Sequence, residues 1–184
     1  MKNKILIVLL LCSVLLSLEC TNNPAPLTIT FTEPTQYGTP FQHVPATADI
    51  VMYEINPGAF SASGNFNEIT RGLDSIKSLG INTIWIMPVF PIGILNSFGS
   101  PYCVRNYLEV NSAYGTLDDY RNLISEAHKR NIAVIMDWVA NHTSWDNPWI
   151  QNKSWYTQDA NGNIISPAGT NSYIDGKNWL KGMA

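Results

Sequence analysis

The sequence predicts an α/β fold with a parallel sheet, and its strand and helix order carries that prediction. Short apolar runs at 50–55, 83–87 and 132–136 have the length of buried strands. Two stretches with apolar residues at helical spacing separate these runs, which gives the order strand, helix, strand, helix, strand. Short strands that alternate with amphipathic helices imply right-handed crossovers between parallel neighbours. We therefore expect one sheet whose strands all end at the same edge.

Each predicted helix carries an apolar stripe and a signal at its ends. Gly80 follows the first stripe, where a C-terminal cap belongs. Thr116 is the expected N-cap of the second helix, Asp119 completes a variant capping box, and Asn131 can end that helix. The stripe residues are Phe66, Ile69, Leu73, Ile76 and Leu79 in the first helix, and Leu117, Tyr120, Leu123, Ile124 and Ala127 in the second.

The N-terminal segment has the features of an export signal. Residues 1–20 have a basic start and an apolar stretch that is too short for a permanent membrane span. The sequence before Cys20 resembles the lipobox of bacterial lipoproteins, although Glu19 departs from the small residue expected there. Cys20 is therefore a candidate lipidation site, with ordinary cleavage nearby as the alternative. We expect an exported bacterial protein that is secreted or anchored in the cell envelope or outer membrane.

Composition narrows the classes of partner. Residues 21–48 are rich in Thr and Pro, which indicates a tether. The net charge is −3 and no basic patch is present, so nucleic acid is not an expected partner. The six tryptophans and eight tyrosines supply flat faces that suit sugar rings, although aromatic residues also fill cores.

Cys103 is expected to be a free, packed thiol, because Cys12 falls in the signal and Cys20 is the candidate lipid site.

Polar residues begin where the third strand should end. Asp137, Asn141 and His142 bring a carboxylate, an amide and an imidazole to the carboxyl end of that strand, which is where parallel sheets bind ligands. The long irregular stretch at 90–115 follows the second strand on the same face, and connections of this length are usually functional. We therefore expect a pocket for a polar ligand.

Each of these residues also has a structural alternative. Asp137 can cap backbone amides after its strand. Asn141 is a common turn residue, and His142 can be a packed or solvated loop histidine. The functional interpretation depends on the order in which the residues occur together.

Three sequence blocks carry a resemblance to a known family. They are Ser-Pro-Tyr-Cys-Val-Arg-Asn-Tyr at 100–107, Asn-Ser-Ala-Tyr-Gly-Thr at 111–116, and Asp-Trp-Val-Ala-Asn-His at 137–142. On a matching strand and helix pattern, they resemble the alpha-amylase family, glycoside hydrolase family thirteen. The resemblance covers roughly residues 49–149.

This resemblance implies a domain organisation. Residues 49–143 would be the N-terminal part of a TIM (β/α)8 barrel, an incomplete catalytic domain of about three βα units. Residues 144–184 would begin the loop-rich second domain that the family inserts after its third strand. The segment at 166–184 departs from the Asp-Leu-Asn block that the family often shows there.

The resemblance also implies residue roles. Tyr102 matches the aromatic residue that stacks on the sugar at the cleavage subsite, and His142 matches the imidazole that hydrogen-bonds a hydroxyl of that sugar. Asp137 matches the acidic residue that supports the active-site network. Asn141 matches a calcium ligand of many members, so calcium is a candidate cofactor, although calcium needs six to eight oxygen ligands.

The function implied is an exported alpha-amylase-type glycoside hydrolase that acts on alpha-linked glucans such as starch and maltooligosaccharides. Retaining hydrolysis uses two carboxyl groups roughly 5 Å apart. The family supplies them from later strands, so we expect the nucleophile and the acid beyond Ala184 and this chain to be a truncated, inactive fragment. The alternatives are a non-catalytic cell-surface glycan-binding lipoprotein and a transglycosylase or isomerase of the same family. The only expected membrane contact is a lipid at Cys20.

Overall fold

The computed structural model describes residues 38–166 and the backbone of two short strands beyond them. The main sheet contains β1 (Met52–Ile55), β2 (Thr83–Ile86) and β3 (Ala133–Met136). Its helices are α1 (Phe66–Ser78) and α2 (Leu117–Lys129). Short 3-10 helices cover Thr47–Asp49, Pro148–Gln151 and Lys153–Trp155. The strands β4 (Tyr173–Ile174) and β5 (Lys177–Asn178) form an antiparallel pair.

Several predictions fall outside the described residues. The export signal at 1–20, the lipid site at Cys20 and most of the tether at 21–48 lie there and stay predictions. Most of the tail at 167–184 is also outside. Within the described part of the chain, none of the helices has both the length and the apolar character that crossing a bilayer requires.

The three strands form one parallel sheet in the order β1-β2-β3, as predicted. The register places Ile84 beside Val134 in one row, and Glu54, Trp85 and Ile135 in the next. Successive residues of a strand point to opposite faces of a sheet. Ile84 is fully buried with the helices, whereas Glu54 and Ile135 are exposed. The sheet therefore has one packed face and one open face.

The main core lies between the sheet and the two helices. Its buried members come from the strands, from both predicted stripes and from the adjoining loops. They are Ile55, Phe66, Ile69, Leu73, Ile76, Ile81, Ile84, Ile86, Val89, Tyr114, Tyr120, Leu123, Ala127 and Ile132. Two predicted stripe residues are instead exposed, Leu79 at 69% and Leu117 at 46%. Leu79 is the C-cap of α1 and Leu117 is the first residue of α2, so both lie where the helix meets its loop.

The helix ends follow the predicted signals. Gly80 has a φ of 84°, the left-handed conformation that ends a helix, and Asn131 has a φ of 53° after α2. Thr116 and Asp119 form the predicted capping box, with each side chain bonded to the backbone amide of the other. The side chain of Asn65, which was not predicted as a cap, caps α1.

The N-terminal end of β1 is held by a side chain from the next strand region. The Asn82 amide oxygen accepts from the Val51 backbone amide at 2.9 Å, and the Asn82 amide nitrogen donates to the carbonyl of Asp49 at 2.7 Å. Strand β1 therefore starts at Met52, two residues later than predicted. Upstream, the ring of Phe41 stacks on His128 of α2 with centroids 4.5 Å apart.

Candidate functional site

The four predicted site residues lie on the loops that follow β2 and β3. Tyr102 belongs to the loop after β2. Asp137 follows β3 directly, and Asn141 and His142 lie further along the same loop. Loops that leave the carboxyl ends of neighbouring parallel strands meet at one edge of the sheet. The structure joins all four residues through three hydrogen bonds, one of which is accepted by the backbone oxygen of Tyr102, and we call this group the strand-end cluster.

Tyr102 and Asp137 contact each other directly across the two loops. The Tyr102 hydroxyl donates to Oδ2 of Asp137 at 3.0 Å. Burial of the phenol, with further contributions from the Asp137 hydrogen bond and the charges of Asp137 and Glu54, raises the pKa of Tyr102 to about 12. The phenol is therefore neutral near pH 7 and stays a hydrogen-bond donor.

His142 has protein partners at both ring nitrogens. Nε2 lies 3.1 Å from the backbone oxygen of Tyr102, and a carbonyl can only accept, so Nε2 carries the proton. Nδ1 then accepts from the Asn141 amide at 3.3 Å. Burial lowers the pKa of His142, and the bond to the Tyr102 carbonyl opposes that shift, which fits a neutral imidazole. A sugar hydroxyl must share or replace one of these bonds in order to reach the ring.

Tyr107 supports the backbone that carries His142. Its hydroxyl lies 2.5 Å from the carbonyl of Val139 and 2.9 Å from the carbonyl of His142, so one proton serves two acceptors. Burial, with a smaller contribution from Tyr156, raises the pKa of Tyr107 to about 12. Tyr107 belongs to the block that carries the family resemblance, but its role was not predicted. A hydroxyl that bonds backbone carbonyls leaves no signal in the sequence.

A closely packed contact, which we call the loop junction, joins the loop that carries Tyr102 to the loop that carries His142. The carbonyl of Val104 accepts from the Asn147 side chain at 3.1 Å and from the Ser144 amide at 3.0 Å. Asn147 is only 1% exposed. A Cβ on Gly93 would stand 2.2 Å from the Cβ of Ser144, so only glycine fits at that position. The junction therefore fixes the distance between the loop of Tyr102 and the loop of His142.

Cys103 is a packed thiol, as predicted. It is free and fully buried. Burial and the charge of Asp146 raise the pKa of the Cys103 thiol, which disfavours the reactive thiolate. The residue therefore belongs to the packing of the loop and not to its chemistry.

An aromatic pocket of about 240 Å³ opens beside His142. Trp149 lies in its wall and stacks on Tyr107 with ring centroids 5.0 Å apart. Trp155 stands edge-on to Trp149 with centroids 6.2 Å apart, and Trp138 completes this group of indoles. The composition indicated a supply of aromatic residues but not this grouping, because the residues come from separate loops.

The donor set at Asn141 is small for a calcium site. Among the residues that the structure describes, no group of three or more His, Cys, Asp or Glu side chains could hold a metal ion. The nitrogen of the Asn141 amide contacts His142, which leaves one amide oxygen as a candidate ligand. Calcium takes six to eight oxygens, so this donor set does not fit the ion by itself, and calcium stays a prediction.

Comparisons with known proteins identify the family and the fold to which the chain is similar. A sequence model of the alpha-amylase catalytic domain matches residues 31–180. Probable oligo-1,6-glucosidase 2 from Bacillus subtilis is 38% identical over 108 residues, which cover 56% of this chain and 19% of the relative. Trehalose-6-phosphate hydrolase from the same organism is 35% identical over 106 residues, which cover 55% and 18%. The crystal structure of an alpha-amylase from Lactobacillus plantarum matches with a TM-score of 0.63 and 35% identity, covering 66% of this chain and 30% of that chain.

The class of domain that the fold and these comparisons define is an α/β barrel of the alpha-amylase type, of which the described residues show three strands. The chain belongs to the alpha-amylase family. The predicted family and fold class are thereby confirmed. The chain spans about a fifth of the length of the curated relatives that it matches.

Proposed function

We propose that this chain contributes one wall of the substrate site of an alpha-amylase-type glycoside hydrolase that acts on alpha-linked glucans. The observation that carries the proposal is the strand-end cluster, in which Tyr102, Asp137 and His142 meet at the carboxyl ends of parallel strands. The relatives support the same chemistry, because their names describe enzymes of glucoside hydrolysis.

Tyr102 serves in this proposal as the platform for a glucose ring. Its aromatic face offers apolar contact to the ring, and its hydroxyl is anchored at 3.0 Å by Asp137. An anchored phenol has little freedom to rotate, so the orientation of the platform is set before the sugar arrives. Asp137 acts in this scheme as a positioning residue, because it reaches the sugar through Tyr102.

His142 serves as the hydrogen-bonding partner of a sugar hydroxyl. A neutral imidazole can be half-buried against a neutral ligand without the cost of burying a charge. One of its two protein contacts, to Asn141 or to the Tyr102 carbonyl, must yield to the hydroxyl. The longer contact, at 3.3 Å to the Asn141 amide, is the one that we expect to yield.

The reaction proposed for the whole protein is retaining double displacement. It requires a nucleophile and an acid with carboxyl groups roughly 5 Å apart. Asp137 is assigned neither role, because its Oδ2 accepts the Tyr102 hydroxyl. Glu54 is exposed and also receives no catalytic role. The proposal therefore assigns neither reacting carboxyl to residues 38–166. It keeps the expectation from the sequence that neither is supplied by this chain, which alone should bind glucan without cleaving it.

A second candidate is a glycan-binding protein without catalysis, and the exposed indoles beside His142 favour it. A transglycosylase or isomerase would share the same binding geometry, because these chemistries differ in how the glycosyl group is transferred. All three candidates predict sugar binding at the strand-end cluster. They differ in the products that the whole protein releases.

The test combines calorimetric titration of the whole chain with maltoheptaose and a reducing-sugar assay on starch. The wild-type chain should bind, and Tyr102→Ala should weaken binding by at least about tenfold, or about 1.4 kcal/mol. Tyr102→Phe keeps the ring and should bind more tightly than Tyr102→Ala. Leu108→Ala, an exposed loop substitution, is the control. A chain that is folded by circular dichroism but binds no glucan would overturn the proposal, and robust starch hydrolysis would overturn the assignment of the carboxyls.

We also propose that the protein is exported and carries a lipid at Cys20. Labelled fatty acid fed to a bacterial host should appear in the wild-type chain and disappear in Cys20→Ala. Cys103→Ala is the matched control, since Cys103 is buried and should not affect labelling. A label that persists in Cys20→Ala would contradict lipidation at this residue.

A further inference from the structure

The segment that leads into β1 lies at the amino end of the sheet. Residues 40–51, which we call the N-terminal strap, precede β1 and include the 3-10 helix Thr47–Asp49. The side chain of Asn82 accepts from the Val51 amide at 2.9 Å and donates to the Asp49 carbonyl at 2.7 Å. The backbone amide of Asn82 also donates to the carbonyl of Val51 at 3.1 Å. Because Asn82 directly precedes β2, these three bonds tie the strap to the start of the second strand.

Phe41 makes a second and separate contact between the strap and the domain. Its ring stacks on the imidazole of His128, with centroids 4.5 Å apart and planes 16° apart. Both residues are partly buried, and burial lowers the pKa of His128, so a neutral imidazole packs on Phe41 near pH 7. His128 lies in the last turn of α2, and a short connection leads from there to the start of β3. The strap is therefore attached near the starts of all three strands.

The strand-end cluster lies at the opposite end of these strands. Tyr102 and His142 belong to loops that follow β2 and β3, whereas Asn82 and His128 precede them. Each of these strands has four residues and rises about 3.3 Å per residue, so the sheet stands between the strap and the cluster. A pull on the chain at Pro40 therefore acts on the end of the domain that does not carry the cluster.

Phe41 decides how much chain is free upstream of the sheet. None of residues 42–48 is buried, and Val44 is 71% exposed, so little else holds this part of the strap. Loss of the stack on His128 would free residues 40–48, which can add about 30 Å of extended chain. A short attachment restricts the directions in which a held domain can turn, and a longer one relaxes that restriction.

We propose that the N-terminal strap orients the protein when its N-terminal region is held at a membrane, so that the strand-end cluster points away from the lipid. The proposal rests on the proposed attachment upstream of the strap, and it goes beyond glucan binding. The amino end of the sheet is the side that faces the lipid surface. A long glucan that arrives from the medium then reaches the cluster without passing between the domain and the bilayer.

The test measures which end of the domain lies near a lipid surface. The whole chain, with Cys12→Ala and Cys20→Ala, is attached to vesicles through an N-terminal hexahistidine tag and a nickel-chelating lipid, so the result does not depend on acylation. A fluorophore is placed on one new thiol, either Val44→Cys in the strap or Leu108→Cys in the loop after β2. Both positions are exposed, whereas the native Cys103 is buried. A spin-labelled lipid head group then quenches the fluorophore only near the bilayer surface.

The spin label should quench the fluorophore at position 44 at least about twofold more than the one at position 108. Phe41→Ala should bring the two values together, and His128→Ala should do the same because it removes the other ring of the stack. Phe41→Tyr keeps an aromatic ring and should behave as the wild type. Val44→Ala, measured with the fluorophore at position 108, is the control for a change within the strap. Circular dichroism checks that each variant is folded.

The outcomes separate this proposal from the proposed function. Equal quenching at the two positions in the otherwise wild-type chain, or stronger quenching at position 108, would overturn the orientation. A difference that persists in both Phe41→Ala and His128→Ala would overturn the role of the strap. Phe41→Ala should change the maltotriose affinity of the unattached chain by less than about twofold, because Phe41 lies far from the cluster. A chain that binds no glucan but keeps the difference in quenching would overturn the proposed function alone.

Discussion

The main core and the loop layer above it are held together in different ways. The main core packs strands and helices through aliphatic and aromatic side chains at regular positions. The loop layer has a small apolar cluster of Phe90, Val104 and Val139, with Tyr102 and Tyr107 packed against it. Around that cluster, hydrogen bonds set the geometry, from Tyr102 to Asp137 and from Tyr107 to two carbonyls. Apolar burial is non-directional and gives stability, whereas hydrogen bonds are directional and place side chains.

A substitution in the main core should have the largest effect on stability. Leu73→Ala removes a fully buried side chain from α1 and should lower the free energy of unfolding by about 2–5 kcal/mol. Leu79→Ala is the matched control, because the same change at this exposed residue should stay within about 0.5 kcal/mol. Urea unfolding measures both. A cost below about 1 kcal/mol for Leu73→Ala would mean that stability does not reside in this core.

A substitution at the loop junction should disturb both stability and sugar binding. Gly93→Ala places a Cβ 2.2 Å from the Cβ of Ser144, and such overpacking should cost about 1–3 kcal/mol. The two loops must move apart, so maltotriose binding should weaken as well. The double variant Gly93→Ala/Ser144→Gly removes the clashing carbon and should restore part of both losses. Full stability in Gly93→Ala would show that the junction is not tight.

A substitution at Tyr107 should affect binding more than stability. Tyr107→Phe removes the hydroxyl that serves the carbonyls of Val139 and His142, and it should cost about 1 kcal/mol of stability. Maltotriose affinity should fall, because the backbone under His142 loses its support. Tyr120→Phe, the same change in the main core, should leave affinity unchanged. Equal effects of the two variants on affinity would remove the distinction between the core and the loop layer.

The smallest effect should be a pH dependence that comes from His142. Its pKa is lowered by burial below the ordinary 6.5, so the unfolded chain takes up the proton first as the pH falls. The contribution to stability is therefore full above pH 6.5 and is lost as the pH falls through the folded-state pKa. His142→Gln should lose less stability than wild type between pH 8 and pH 5 by urea unfolding. His43→Gln, at an exposed position, is the control. Identical pH profiles for His142→Gln and wild type would contradict this assignment.

The same contrast explains what the sequence could predict. The strands and helices could be predicted from the periodic spacing of apolar residues along the chain. The capping box could be predicted because Thr116 and Asp119 are three residues apart. The contact of Tyr102 with Asp137 joins residues 35 positions apart. The strand order predicted that their loops share one face of the sheet, and the family resemblance singled out the two residues. The fit of Gly93 against Ser144 depends on the paths of two irregular loops, which no periodicity encodes.

The aromatic pocket was beyond sequence analysis for the same reason. Trp138 is the second residue after β3, whereas Trp149 and Trp155 lie in two short 3-10 helices further along. Their grouping depends on how the loop after β3 turns back on Tyr107. The aromatic content predicted that such a surface could exist, and the fold decides where it lies.

The most direct test of sugar binding at the strand-end cluster is the NMR signal of the two imidazole nitrogens of His142 during a maltotriose titration. We expect saturable shifts of both nitrogens, because a sugar hydroxyl must share or replace the contact to Asn141 or to the carbonyl of Tyr102. The same curve should be lost in Tyr102→Ala. Saturable maltotriose binding that leaves both His142 nitrogens unshifted would show that the sugar lies elsewhere.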